Sequence, residues 1–115
     1  NFDNNNITWV PQFEVHEDDN SYQIFAELPG ISKKHVDIEI LDELITISGE
    51  KEKNQSKSDI RNHSELSYGK FSRSFKLPED IISEKISAKM KDGILAVFVP
   101  RMEHIKPESK KIKIK

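Results

Sequence analysis

The strongest constraint on this chain is a two-residue hydrophobic period, repeated in short runs that turn residues separate. In "HVDIEI" the apolar residues Val36, Ile38 and Ile40 alternate with Asp37 and Glu39. A period of two places alternate side chains on opposite faces of a β-strand. No long segment has the 3.6-residue period of an amphipathic helix. We therefore expect an all-β fold.

Further runs of the same kind predict seven or so strands in total: QFEVHE, SYQIFAEL, LITISGE, KFSRSFKLP, ISAKM and ILAVFVP. The last run is apolar at every position, which predicts a central strand covered on both faces. Pro29 and Gly30 predict a type II turn, and Asp92 and Gly93 predict a tight hairpin. ISKKH and PEDIISEK predict single helical turns in connections. Short strands with this density of turns indicate a β-sandwich.

The composition restricts the compartment and the partners. The 115-residue chain is long enough for one domain with a real core, and it has no cysteine, which excludes disulfides and fits a reducing cytoplasm. A net charge of −2 gives no basic excess to attract nucleic acid or an anionic membrane. No apolar run approaches the roughly 18 residues of a membrane span. We therefore predict a cytoplasmic domain without nucleic-acid or membrane partners.

The polar residues form no recognisable catalytic or metal-binding pattern. The histidines His16, His35, His63 and His104 lack the spacing of metal ligands. Serines occur without a G-x-S-x-G elbow, and the glycines stand singly rather than in a phosphate-binding loop. We predict that the chain is not an enzyme and that it has no catalytic residues, no metal and no cofactor.

Three segments depart from the strand pattern. Residues 1–8 are Asn-rich, and their composition predicts a flexible segment. Residues 50–67 are charged and long for a loop in a compact domain, so they form either a solvated loop or an arm whose strand near residues 60–65 pairs with another chain. The terminal KKIKIK places Ile112 and Ile114 on one side of an extended segment, about 7 Å apart. This tail either folds onto its own domain or inserts into another copy.

Four motifs in register resemble the α-crystallin domain of small heat-shock proteins of the bacterial and plant type. Ala88, Gly93 and Leu95 match the A-x-x-x-x-G-x-L pattern. The stretches AELPG and GKFSRSFKLP resemble an early turn and a G-x-F-x-R-x-F-x-L-P strand of that family, and IKI resembles its C-terminal I-x-I tail. The similarity runs from about residue 9 to residue 115. One departure is Leu66, where such proteins usually have an arginine near the dimer boundary.

The resemblance implies that residues 1–8 are the remnant of an N-terminal arm and that residues 9–101 form an immunoglobulin-like β-sandwich. It further implies a dimerisation loop over 50–67 that carries a swapped strand, and a C-terminal extension over 102–115. It also implies that Ile112 and Ile114 enter a groove between the HVDIEI and ISAKM strands of a sister copy. The nominated groove residues are Val36, Ile38, Ile40, Ile86, Ala88 and Met90. The nominated dimer-interface residues are Phe13, Val15, Ile60, Arg61, His63, Glu65 and Arg73.

The function implied by the resemblance is that of an ATP-independent holdase. Such a chaperone binds unfolding proteins and prevents their aggregation, and it assembles as dimers into larger dynamic oligomers. The expected partners are aggregation-prone client proteins and further copies of the chain. The alternative is a binding module of the CS-domain co-chaperone type, which docks on one partner chaperone. The I-x-I tail and the long 50–67 segment argue against that alternative.

Overall fold

The computed structural model describes residues 9–51, 69–103 and 108–115, and these residues form an all-β fold as predicted. The strands are β1 (Phe13–Glu17), β2 (Ser21–Glu27), β3 (Val36–Leu41), β4 (Leu44–Lys51), β5 (Gly69–Lys76), β6 (Ser87–Lys91) and β7 (Ile94–Pro100). The two expected helical turns are confirmed as 3₁₀ turns at Lys33–His35 and Ser83–Lys85. Within the described ranges, no helix is long and apolar enough to cross a membrane.

The strands form two antiparallel sheets that pack face to face. One sheet has the order β1-β2-β7-β6 and the other has the order β3-β4-β5. Their inner faces supply the core, because alternate residues of each strand point to the same side. The largest fully buried side chains are Phe71, Ile24, Leu28, Ile45, Ile47, Val97 and Val99. The predicted β-sandwich is therefore confirmed.

Two predicted turns have the expected backbone geometry. Asp92 and Gly93, between β6 and β7, have φ values of 53° and 77°, as a type I′ hairpin turn requires. Gly30 has a φ of 79°, and the backbone N–H of Ile31 donates to the carbonyl oxygen of Leu28 at 3.3 Å. This is the arrangement of a type II turn with glycine at its third position.

Strand β7 is central in its sheet, but the prediction that both of its faces are covered was wrong. Val97 and Val99 on its inner face are 1% and 0% exposed. Ile94 and Phe98 on its outer face are 39% and 44% exposed. The reason is that the second sheet covers only the inner side of the four-stranded sheet. In the part of the chain that the structure describes, these outer side chains face solvent.

Arg101, directly after β7, joins segments that are far apart in sequence. Its guanidinium donates from Nε to Asp80 Oδ1 at 2.9 Å and from Nη1 to Glu17 Oε2 at 3.2 Å and to the Asp18 carbonyl oxygen at 2.7 Å. The hydrogen bond to Asp80 raises the pKa of Arg101, so the group stays charged. These bonds fix the point at which the C-terminal residues leave the sandwich.

Gly49, on β4, has no room for a side chain. An added Cβ would lie 2.6 Å from Cε1 of Phe71 and 2.9 Å from the backbone oxygen of His35. We expect Gly49→Ala to lower the free energy of unfolding by about 1–3 kcal/mol, measured by urea denaturation. Ser48→Ala, on the opposite face of β4, should change it by less than about 0.5 kcal/mol. A Gly49→Ala protein as stable as the wild type would contradict this packing.

Candidate functional site

The candidate site is a groove between the two sheets, where an edge strand of one sheet lies next to an edge strand of the other. Strand β3 forms the edge of the three-stranded sheet, and β6 forms the edge of the four-stranded sheet. The groove between them has a volume of about 330 Å³. Its lining residues are Lys33, Val36, Ile38, Ala88, Lys89, Met90 and Leu95. Among the described residues neither edge has a second hydrogen-bonded strand, so the groove offers apolar side chains next to free strand edges.

The side chains of the groove walls repeat at the spacing of an extended segment. Val36 and Ile38 lie two residues apart on β3, and Ala88 and Met90 lie two residues apart on β6. Two residues of strand span about 7 Å. An extended chain with apolar residues at positions i and i+2 therefore has the same repeat as the walls.

Four of the six nominated groove residues line the groove, and two do not. Val36, Ile38, Ala88 and Met90 are among the lining residues. Ile40 lies further along β3, where its side chain is 36% exposed and the groove does not reach. Ile86 precedes β6 and packs, partly buried, against the core. Sequence alternation alone could not separate a wall position from a core position at a sheet edge.

The A-x-x-x-x-G-x-L motif has a physical role in building the groove. Ala88 is exposed on the inward-pointing side of β6, and its small side chain leaves the groove open. Leu95 is 4% exposed and forms part of the floor. Gly93 has a positive φ, and a Cβ there would lie 3.3 Å from the Cα of Pro29. The motif thus sets the width, the floor and the closing turn of one wall.

The sequence interpretation missed the charge of the groove. Lys33 and Lys89 line it, and the described lining residues include no carboxylate. Lys33 lies in the 3₁₀ turn that leads into β3, and Lys89 lies on β6 between two wall positions. The only signal available was the lysine-rich character of ISKKH and ISAKM. The groove is therefore apolar with a basic rim.

The terminal isoleucines lie in solvent. Ile112 is 85% exposed and Ile114 is 94% exposed. Residues 108–115 form no strand, so the alternative of a terminal strand packed onto its own domain is not what the structure has. Lysines alternate with the isoleucines along this tail, at positions 111, 113 and 115. The chain thus carries an exposed apolar pair with the same repeat as its own groove.

The opposite side of the sandwich brings two nominated dimer-interface residues together, Phe13 and Arg73. The Arg73 guanidinium lies 5.0 Å from the ring centroid of Phe13 and 5.1 Å from that of Phe75, within the range of cation–π attraction. Val15, on the edge strand β1, is 39% exposed. The other nominated residues, Ile60, Arg61, His63 and Glu65, lie outside the described residues, as does Leu66.

The geometry of the groove is suited to binding an extended peptide. In the ranges 9–51, 69–103 and 108–115, no group of three His, Cys, Asp or Glu side chains could hold a metal ion. Free strand edges add backbone hydrogen bonds to an extended peptide, and apolar wall positions select its side chains. The groove can therefore accept an extended apolar segment by strand addition.

Known proteins share this fold and much of the sequence. The Hsp20/alpha crystallin family model matches residues 14–115. Small heat shock protein C4 of Rickettsia felis is 39% identical, with 96% of this chain and 67% of that protein covered. The 17.4 kDa class I heat shock protein of Arabidopsis thaliana is 38% identical, with 98% of this chain and 70% of that protein covered.

Solved structures agree with these relatives. Heat shock protein 16.0 from Schizosaccharomyces pombe has a TM-score of 0.76 and 33% identity, covering 93% of this chain and 99% of that one. A small heat-shock protein from Xylella fastidiosa has a TM-score of 0.73 and 28% identity, with the same coverage. The family model matches nearly the whole chain, and both the bacterial and the plant relative are more than 30% identical to it. This chain therefore belongs to the Hsp20/alpha crystallin family of small heat shock proteins.

Proposed function

We propose that this chain is a cytoplasmic, ATP-independent holdase that binds unfolding proteins, prevents their aggregation and assembles as dimers into larger dynamic oligomers. Family membership supports a chaperone role rather than catalysis. The observation that carries the proposal is the match between the exposed Ile112 and Ile114 and the apolar groove between β3 and β6. The tail of one copy fills the groove of another, and clients compete for the same groove.

The energetics make this contact weak and reversible. Burying two isoleucines contributes roughly 3–6 kcal/mol. Ordering each tail residue costs about 1–2 kcal/mol, which offsets most of that gain. Many such contacts in one closed assembly reinforce each other through effective concentration. An oligomer built in this way holds together and still exchanges subunits.

The charges at the groove weaken the contact further. The tail carries lysines at positions 110, 111, 113 and 115, and it would approach Lys33 and Lys89 on the rim. Like charges at the surface repel, and salt screens the repulsion over about 10 Å at 0.1 M. A loosely held tail leaves groove surface available to a client. Unfolding clients expose apolar residues and unpaired strand edges, which the groove can cover.

The dimer contact is proposed for the opposite side of the sandwich. Phe13 and Val15 on β1 and Arg73 on β5 would receive the strand near residues 60–65 of another copy. That strand lies outside the described residues. The exposed edge of β1 supports the proposal, because an edge strand is a template for pairing with another chain.

The holdase proposal predicts suppression of aggregation without nucleotide. We expect the protein to lower the light scattering of a thermally unfolding enzyme at equal mass, with no effect of added ATP. Ile38→Lys combined with Met90→Lys should weaken suppression severalfold, because it places charge on both groove walls. Glu39→Lys, on the outer face of β3, is the matched control and should not weaken it. A wild-type protein that leaves the scattering unchanged would contradict the proposal.

The tail proposal predicts a loss of assembly without a loss of stability. We expect Ile112→Ala combined with Ile114→Ala to reduce the oligomer to dimers, measured by light scattering, at an unchanged melting temperature. Lys111→Ala combined with Lys113→Ala should keep the oligomer, because it leaves the apolar pair intact. A lower melting temperature at constant mass would instead mean that the tail stabilises its own domain.

The dimer proposal predicts that a shortened loop gives a monomer. Deleting residues 52–64 removes the strand proposed to swap, and the rest of the sandwich keeps its core. We expect a folded monomer by analytical ultracentrifugation, with the circular dichroism of the parent. A dimer that survives this deletion would rule out the swapped strand.

A further inference from the structure

The outer face of the four-stranded sheet carries an apolar strip that the groove and the tail do not use. Ile94 and Phe98 on β7 are 39% and 44% exposed, and Phe25 and Ala96 beside them are partly buried. Phe25 and Ala96 are direct partners in the pairing of β2 with β7. Large apolar side chains grouped on one face of a soluble domain mark an interaction surface more often than chance.

The charges on either side of this strip have opposite signs. One row across the sheet runs from Glu14 through Phe25 and Ala96 to Lys89, as the strand registers show. The next row runs from Glu27 through Ile94 to Lys91. Carboxylates therefore lie on the β1 and β2 side, and lysines lie on the β6 side. The first of these rows complements itself when the surface is turned over, whereas the second row places Glu27 next to Ile94 of the other copy.

We propose that two copies of this chain pack these outer faces together about a two-fold axis parallel to the strands. This rotation keeps each row and exchanges its ends, as an isologous contact requires. Glu14 then faces Lys89 of the second copy, and Phe25 faces Ala96 of the second copy. Each copy thus places its large Phe25 side chain against the small Ala96 side chain of the other copy.

The surface relief agrees with this arrangement. A hollow of about 340 Å³ lies beside Ala96, lined by Ser87, Ala88, Lys89, Ala96 and Phe98. The proposed arrangement places the Phe25 ring of the second copy at this hollow. Aligned sheet packing brings the two faces to about 10 Å, a distance at which side chains interdigitate.

The contact is weak by its size. Four apolar residues cover much less than the roughly 800 Å² per partner of a standard interface. It therefore acts between copies that are already close in one assembly, where the effective concentration is high. It does not involve the tail, and of the groove-lining residues it uses only Ala88 and Lys89 at the β6 edge, so it can fail while the proposed function stands.

A site-specific cross-link tests the geometry, because the natural chain has no cysteine. The Glu14→Cys and Lys89→Cys proteins are co-expressed and treated with a bis-maleimide linker of about 8 Å, because thiols that point toward each other across sheets about 10 Å apart lie closer than that spacing. We expect at least tenfold more covalent dimer than for either protein alone. The matched control pairs Glu39→Cys, on the other sheet, with Lys89→Cys. Equal cross-linking in the control, or none in the test pair, would overturn the proposal.

A charge exchange gives an independent readout. His16 Nε2 lies 3.0 Å from Glu14 Oε2, so all of the variants are compared at one fixed pH. We expect Glu14→Lys and Lys89→Glu each to lower the cross-linking yield between Phe25→Cys and Ala96→Cys chains severalfold, and the two changes together to restore it. Single changes without effect, or a double change that does not restore the yield, would overturn the arrangement.

Discussion

The rest of this structure depends on one constraint: the gap between the two sheets is filled on one side of the sandwich and open on the other. Near β1 and β5 the two sheets are joined by aromatic contacts, with the Trp9 and Phe71 rings 5.4 Å apart and the Phe13 and Phe75 rings 5.5 Å apart. Near β3 and β6, the described residues leave a groove of about 330 Å³ between the sheets, and Ala88 contributes only a small side chain to it. The core holds the two sheets together there without sealing the edge.

Much of the fold followed from local rules, since a two-residue period, Pro-Gly and Asp-Gly turns and short connections each have one favoured geometry. The covering of β7 did not. A run of apolar residues such as ILAVFVP puts apolar side chains on both faces of the strand, but it does not show what covers the second face. That depends on how many layers the domain has, or on other copies of the chain, neither of which is local information.

The groove was predicted less well than the strands. The family motifs led to Val36, Ile38, Ala88 and Met90. Ile40 and Ile86 were also included, because alternation predicts which face of the sheet a side chain lies on but not how far along the edge strand the groove extends. Lys33 and Lys89 were missed, since lysines in a charge-rich chain look like solubilising surface until the fold brings them to one rim. In the proposed assembly, the apolar spacing would select the tail, and the like charge of rim and tail would limit its affinity.

The central claim is that the exposed isoleucine pair and the groove fit each other, and a peptide titration tests it most directly. A peptide of residues 108–115 is added to the chain ending at residue 103, and methyl and amide NMR shifts are followed. The account predicts saturable shifts at Val36, Ile38, Ala88 and Met90, stronger at higher salt and lost when both isoleucines of the peptide are alanine. Shifts confined to β1 and β5, or no shifts at millimolar peptide, would contradict it.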